Sequence, residues 1–366
     1  MEAEVGQIAK PRPASAPVTS RDHPPSFLRS SQAMLLLLLV ATLGGSVLLS
    51  MSVGAVHVSP LQIVRAVFMS HPLTSTERLI LVQIRLPRIV SSAIVGAALS
   101  VSGLLFQGLF RNPMADPYVI GASGGSVLGA CLGIFFFSQA SLFGLSITAL
   151  LAFAGSVLTM VLVYVLARSR GRTNVVTLLL AGFAISTVLT NFTYFFEVLD
   201  TSSGSGTRIL LSWLRGVIST PPWGELAVTS MALVLGCVAA YPLTRRLNTL
   251  ALGDEYAHQL GLKVEHTRIG IILVGSLLTA VAVALGGLIS FAGLIIPHVG
   301  RLLLGPDMTR LLPVTALAGA IFLVLADTLA RTVLAPTEVP VGILMALVGG
   351  PFFLYLLRRP RRDSLL

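Results

Sequence analysis

The chain reads as an all-α integral membrane protein with about ten transmembrane helices, and three observations carry that expectation. Hydrophobic residues make up 54% of the 366-residue chain and charged residues 11%, with a mean hydropathy of +0.88, a mix foreign to soluble domains. Apolar runs of bilayer-crossing length recur from end to end. Lysine and arginine concentrate in alternate connecting segments, as the positive-inside bias of a multi-pass protein requires.

Residues 1–33 are rich in Pro, Ser and Arg, hold no apolar run, and are expected to be a disordered basic cytoplasmic tail. The next run is long enough to span and lacks a small-residue cleavage site, which argues for a membrane helix rather than a signal peptide. Expected spans are 34–53, 89–109, 119–137, 142–167, 175–196, 226–243, 269–288, a short one at 291–304, 311–329 and 339–357. They make a transmembrane domain over 34–358, with a cytoplasmic tail at 359–366. The stretch "RILLSWLRGVI", 208–218, is too short and too basic to span and reads as a helix lying at the surface or re-entering. Cys131 and Cys237 lie in apolar runs and read as small buried hydrophobes.

With both termini inside, 18 of the 25 lysines and arginines fall on the cytoplasmic side. Arg65, Arg78, Arg85, Arg88, Arg208, Arg215 and Arg331 remain outside. The net charge of +10 then reflects topology rather than nucleic-acid binding.

This orientation puts the segment 249–263, containing "ALGDEYAHQLGLK", in the cytoplasm. Asp254 is expected to cap a short helix, Glu255 to favour its positive end, and Gly261 to supply the left-handed residue that ends it. Two turns of helix are not stable alone in water. The segment is therefore either a solvated loop with helical tendency or a helix that docks into a groove on a soluble partner, Ala257 permitting close approach and Leu260 adding an apolar contact.

Chemistry of the chain's own is hard to find. Lys10 and Lys263, its two lysines, belong to no phosphate loop ending in Gly-Lys-Ser/Thr. No His-Glu-x-x-His pair, paired-cysteine metal motif or Gly-x-Ser-x-Gly nucleophile turn occurs. His298 in "IIPHVGR" reads as a hydrogen-bonded helix-end residue rather than a metal ligand.

The blocks "RLPRIVSSAIVGAALSVSGLLFQGLFRNPMADPYVIGASGG", "LALGDEYAHQLG", "GGLISFAGLIIPHVGR" and "EVPVGILMALVGGPFFLYLL" resemble the permease subunits of type II ABC importers, in order, over about residues 35–360. That family imports iron-siderophores, haem and cobalamin. The resemblance implies the type II ABC importer permease fold and a homodimer around one central pathway in the lipid of a bacterial inner membrane. It also implies two cytoplasmic ATPase subunits, which would hold ATP and Mg, and a periplasmic or lipoprotein substrate-binding protein. No cofactor is expected in this chain, and no nucleic-acid partner.

By the same resemblance, the ATPase-coupling element is Asp254, Glu255, Ala257, Leu260 and Gly261, with "EYAHQLG" fitting the importer pattern of Glu, small residue and Gly. Arg85, Arg88 and Arg331 match positions that pair with acidic residues of the binding protein. Their guanidinium groups suit carboxylates, the alternative being arginines that snorkel to lipid headgroups. Asn112, Met114, Asn174 and Val175 match the cytoplasmic gate, where an uncharged constriction fits passage of a bulky chelate.

Within the membrane, Asp327 is expected to pair with Arg331 one turn away, since a proton relay would need a second intramembrane acid. Thr190, Asn191 and Thr193 either face the pathway or bond between helices. A weak internal echo matches Gly96, Ser100, Gly103 and Leu104 to Gly286, Ser290, Gly293 and Leu294, consistent with an inverted repeat. The expected function is import of an iron chelate or cobalamin-like ligand. A haem permease of the same family and an ion-coupled secondary transporter are the alternatives.

Overall fold

The computed structural model describes residues 26–54, 56, 58–68, 74–137, 140–142, 145–169, 172–173, 175–199 and 205–358. Along them run helices α1 (Ser26–Ser52), α2 (Pro60–Phe68), α3 (Ser75–Leu79), α4 (Leu86–Phe110), α5 (Ala122–Phe137), α6 (Ile147–Ala167) and α7 (Val175–Leu199). They are followed by α8 (Ser205–Leu214), α9 (Trp223–Leu250), α10 (Asp254–Gln259), α11 (Val264–Gly286), α12 (Ala292–Leu304), α13 (Met308–Thr332) and α14 (Val341–Arg358). Two small antiparallel hairpins, Ser141–Leu142 with Leu145–Ser146 and Arg168–Ser169 with Arg172–Thr173, close connections between spans.

Seven helical stretches among the described residues are long and apolar enough to cross a membrane, and α5, α12 and α14 are shorter apolar helices. Together they coincide with the ten expected spans, although several boundaries move. Helix α1 begins at Ser26, inside the stretch expected to be a tail. Residues 1–25 and the expected tail at 359–366 lie outside the described residues. The second span is much longer than its apolar core, because α3, a π-helical turn at Ile80–Arg85 and α4 run on without a break from Ser75. Thr74 starts it with a capping box. Its side chain accepts from the Glu77 N–H at 3.2 Å, and the Glu77 carboxylate accepts from the Thr74 N–H at 2.9 Å.

Helix α4 is the central post. Of its most apolar window, 89% is buried, against 11% for α1 and 17% for α7, which turn most of their surface outward. Small residues make that burial possible. A Cβ added at Gly96 would collide with the Gly319 carbonyl of α13, and one at Gly103 with the Gly293 carbonyl of α12. Toward α11, Ser102 donates to the Gly275 carbonyl at 2.8 Å and stands 2.7 Å from the Thr279 hydroxyl. Hydroxyls bonded to backbone or to each other avoid the cost of burying a polar group in an apolar bundle.

Two interruptions shape the interior. Helix α11 ends at Gly286, and the chain turns through Gly287 (φ 64°) and Phe291 (φ 69°) before α12 starts. Beyond α4, residues after Phe110 fold back along the bundle instead of forming a surface loop. A Cβ on Gly293 would stand 2.7 Å from both the Leu99 carbonyl and the Pro117 ring, and the Ile289 N–H donates to the Tyr118 hydroxyl at 3.3 Å. The two breaks therefore pack on each other, where freed backbone groups find partners within the protein.

Candidate functional site

Helix α10 stands between α9 and α11 and is built by its two glycines. Gly253 (φ 116°) turns the chain out of α9, and Gly261 (φ 81°) ends the helix in the expected left-handed conformation. The Leu262 N–H bonds to the Ala257 carbonyl at 3.0 Å and the Gly261 N–H to the His258 carbonyl at 2.9 Å, the paired bonds of a Schellman ending. A helix of six residues lacks the hydrogen bonds to persist alone. Ala257 supplies the anchorage, since it is completely buried in the main apolar core and Leu262 packs beside it.

Two sequence expectations for α10 are corrected. Asp254 is not the cap. Gly253 occupies that position without a side-chain bond, because the Asp254 carboxylate is drawn instead to Arg111 at 2.6 Å and Arg268 at 2.5 Å. Nor does Ala257 offer room to a partner, since its methyl group is spent inside this chain. The outward face is formed by Glu255, Tyr256, His258, Gln259 and Leu260. Leu252, Tyr256 and Leu260, at four-residue intervals, are 64%, 65% and 68% exposed. Sequence reasoning points to Leu260 alone; the apolar spacing is the available signal for the other two. A groove of about 690 Å³, lined by Glu255, His258, Lys263, Glu265 and His266 among others, lies beside the helix.

The arginines expected on the outer side are already engaged. Arg85 is 5% exposed and donates to the backbone carbonyls of Met51 and Val56, so it ties down the end of α1. The π-helical turn that ends at Arg85 belongs to this inward placement, and the expectation of an open docking group is corrected at that residue. Arg88 and Arg331 converge on Asp327, which is 1% exposed. Arg88 lies 3.0 Å from one carboxylate oxygen and Arg331 lies 3.1 Å from the other. Arg331 also donates to the Ser50 hydroxyl at 2.7 Å, and Arg88 extends to Glu338 at 2.7 Å. Glu338 is the exposed end of this cluster, at 51%.

Of the four residues expected at the gate, Asn112 and Met114 share a turn just past α4. The Asn112 side chain accepts from the Met114 N–H at 3.0 Å, and Arg111 enters the turn in the left-handed conformation (φ 49°, ψ 35°). Val175 opens α7, and Asn174 lies outside the described residues. Helix α7 packs against the 3-10 turn at Pro117–Ile120, which continues from the Asn112 turn. Its exposed strip carries Thr187, Val188, Asn191, Phe192 and Phe195, with no charge. Thr193 is buried and bonds to its own helix at the Leu189 carbonyl. Sequence reasoning missed Gln107, buried in α4. It donates to the Gly293 and Leu294 carbonyls and accepts from Arg301 of α12.

A model of the FecCD transport family matches residues 37–359. The cobalamin import system permease protein BtuC of Halobacterium salinarum is 44% identical over 283 residues, 77% of this chain and 74% of that protein. The hemin transport system permease protein HmuU of Yersinia pestis is 41% identical over 283 residues, 76% of this chain and 83% of that one. The iron(3+)-hydroxamate import system permease protein FhuB of Bacillus subtilis is 37% identical over 318 residues, 86% and 80% of the two chains. A solved structure described as "an inward-facing conformation of a putative metal-chelate type ABC transporter" superposes with a TM-score of 0.78 at 30% identity, covering 89% of this chain and 99% of that one.

Proposed function

From the premise that this chain belongs to the FecCD transport family, we propose that it is the membrane permease of an ATP-driven importer for an iron chelate or a cobalamin-like ligand. The observation that carries the reading is α10. A six-residue helix is held from within by Ala257 and two glycines while Tyr256 and Leu260 stand exposed beside it. An apolar face kept rigid at a polar surface is suited to docking in a groove of a soluble partner. The partner proposed is a pair of cytoplasmic ATPase subunits, with Glu255 at the edge of the contact.

The remaining parts fit this role. Two copies of the chain, related by a two-fold axis, would enclose the pathway between their α7 helices, whose uncharged exposed strip does not grip a bulky chelate. The Asn112 turn and the start of α7 would narrow the cytoplasmic end. On the outer face a binding protein would dock through Arg88, with Arg85 and Arg331 holding the surface behind it. Both termini would be cytoplasmic. Asp327, the buried acid of α13, is committed to two arginines rather than free to carry a proton. Hemin import by HmuU keeps haem as the second ligand class.

The test is co-purification with the ATPase subunit encoded beside this chain, comparing wild type with Glu255→Arg and Gly261→Trp. Retention by wild type, with loss of the subunit or of coupled hydrolysis in the variants, is the expected result. A wild-type chain that purifies alone and transports without ATP would end the importer reading.

A further inference from the structure

Asp254 stands where three elements meet. One oxygen of its carboxylate binds the Arg111 guanidinium, and the other binds Arg268 of α11. Arg111 also donates to the Leu250 carbonyl, the last of α9, at 2.6 Å. Arg111 is the left-handed residue that ends α4 and begins the turn of Asn112 and Met114. The docking helix is thus joined through one side-chain pair to the turn at the mouth of the pathway, 143 residues away in sequence.

We infer that Asp254 is the positioning residue through which movement of α10 is delivered to the Asn112–Met114 turn, with Arg111 as receiver. The inference rests on the reading of α10 as the ATPase dock. The Asp254–Arg111 ion pair joins α10 to this turn directly. Ala257 sits in the main core, and the Schellman bonds stay within the helix ending. Gly253, in a backbone conformation that side chains rarely adopt, sets the angle at which α10 leaves α9. Displacement of α10 needs a lateral link if it is to reach the turn beyond α4, and the Asp254–Arg111 pair supplies it.

Asp254 and Arg111 are both about half exposed, at 47% and 42%. Ion pairs in such positions contribute little to stability. The weakness is useful, because Asp254→Asn should cut the link while leaving the fold and the assembly intact.

The experiment places Met114→Cys in a background with Cys131→Ala and Cys237→Ala, and reconstitutes the chain with the ATPase subunit encoded beside it. Reaction of the single introduced thiol with a membrane-impermeant maleimide is followed without nucleotide and with ATP plus vanadate. In this parent the rate should change severalfold between the two states. In Arg111→Gln the subunit should still co-purify and hydrolyse ATP, but the change should vanish, and it should vanish in Asp254→Asn as well. Asp254→Glu should restore it, and Arg268→Gln should leave it in place.

A change that persists in Asp254→Asn overturns the inference, as does a parent whose introduced thiol reacts at the same rate in both nucleotide states. Loss of the change in Arg268→Gln but not in Arg111→Gln also overturns it, routing the motion through α11. If Asp254→Asn sheds the ATPase subunit, the residue is part of the dock and the relay fails, whereas the docking reading stands. A parent that never binds the subunit fails the docking reading itself.

Discussion

Arg88 and Asp327, 239 residues apart in the chain, meet with both the Nε and one terminal nitrogen of the guanidinium within 3.1 Å of a single carboxylate oxygen. Arg331 takes the other oxygen from one turn along the same helix. A carboxylate that is 1% exposed survives here because two cations and their hydrogen bonds replace its water. The arrangement joins α4 to α13 at one end of the bundle and, through Ser50, reaches α1.

Removing the acid should therefore cost far more than an exposed pair would. In Asp327→Asn two guanidiniums are left facing each other in a poorly hydrated site. Breaking a buried pair in this way typically costs about 3–5 kcal/mol. Thermal unfolding of the detergent-purified chain should show a marked fall in Tm for Asp327→Asn, with Glu338→Gln close to wild type. Equal stability of the two variants would mean that the buried acid is not structural.

Glu338 has a different consequence. It occupies the outward nitrogen of Arg88, where the proposed binding protein would place its own carboxylate. Glu338→Gln removes that competitor and should tighten docking. A half-exposed pair contributes about 0.2–1 kcal/mol, equivalent to a gain of up to about fivefold in affinity. Arg88→Gln should weaken it. Surface plasmon resonance with the binding protein encoded beside this chain, on permease held in nanodiscs, distinguishes the signs. Weaker binding by Glu338→Gln would make Glu338 part of the contact.

Close packing at Gly103 allows a sharper contrast. A single methyl group there meets the Gly293 carbonyl, which cannot move without displacing α12. Gly103→Ala should lose folded yield or several degrees of Tm, whereas Gly45→Ala, with nothing within 4 Å of the new Cβ, should be silent. Fluorescence-detected size exclusion of the two variants measures this. Equal elution profiles would show that α4 and α12 separate readily.

The ten apolar helices were legible because bilayer thickness imposes their length on the sequence. The ending of α10 was legible too, since Gly261 marks a left-handed position. The i,i+4 pair of Asp327 and Arg331 follows from helix periodicity. What sequence concealed depends on contacts between distant segments. The pairing of Arg88 with Asp327 appears only when α4 and α13 are side by side. Asp254 looked like a cap because its position before a short helix fits one, but Arg111 and Arg268 compete for the same carboxylate and win. The π-helical turn left no pattern that distinguished Arg85, tied to α1, from Arg88. The matched glycines Gly103 and Gly293 of the weak internal echo are a point of direct contact between α4 and α12.

Helix α7 gives the most direct test of where the pathway lies. Thr187 and Asn191 share one exposed face, four residues apart, and the Asn191 amide donates to the Thr187 carbonyl at 2.8 Å. If that face lay in lipid, its polar groups would be a burden. Asn191→Leu would then stabilise the chain and leave transport alone, and Asn191→Arg would impair insertion by about 2.5–3.5 kcal/mol near the bilayer centre. If the face lines a shared pathway, the outcome reverses. Asn191→Arg should insert normally, keep the ATPase subunit and hydrolyse ATP, yet reduce uptake of ferric hydroxamate or cobalamin into proteoliposomes, because a fixed charge midway holds or repels the passing ligand. Membrane yield and uptake, measured on the same preparations, separate the two: low yield with normal uptake per molecule points to lipid, and normal yield with lost uptake points to a pathway bounded by α7.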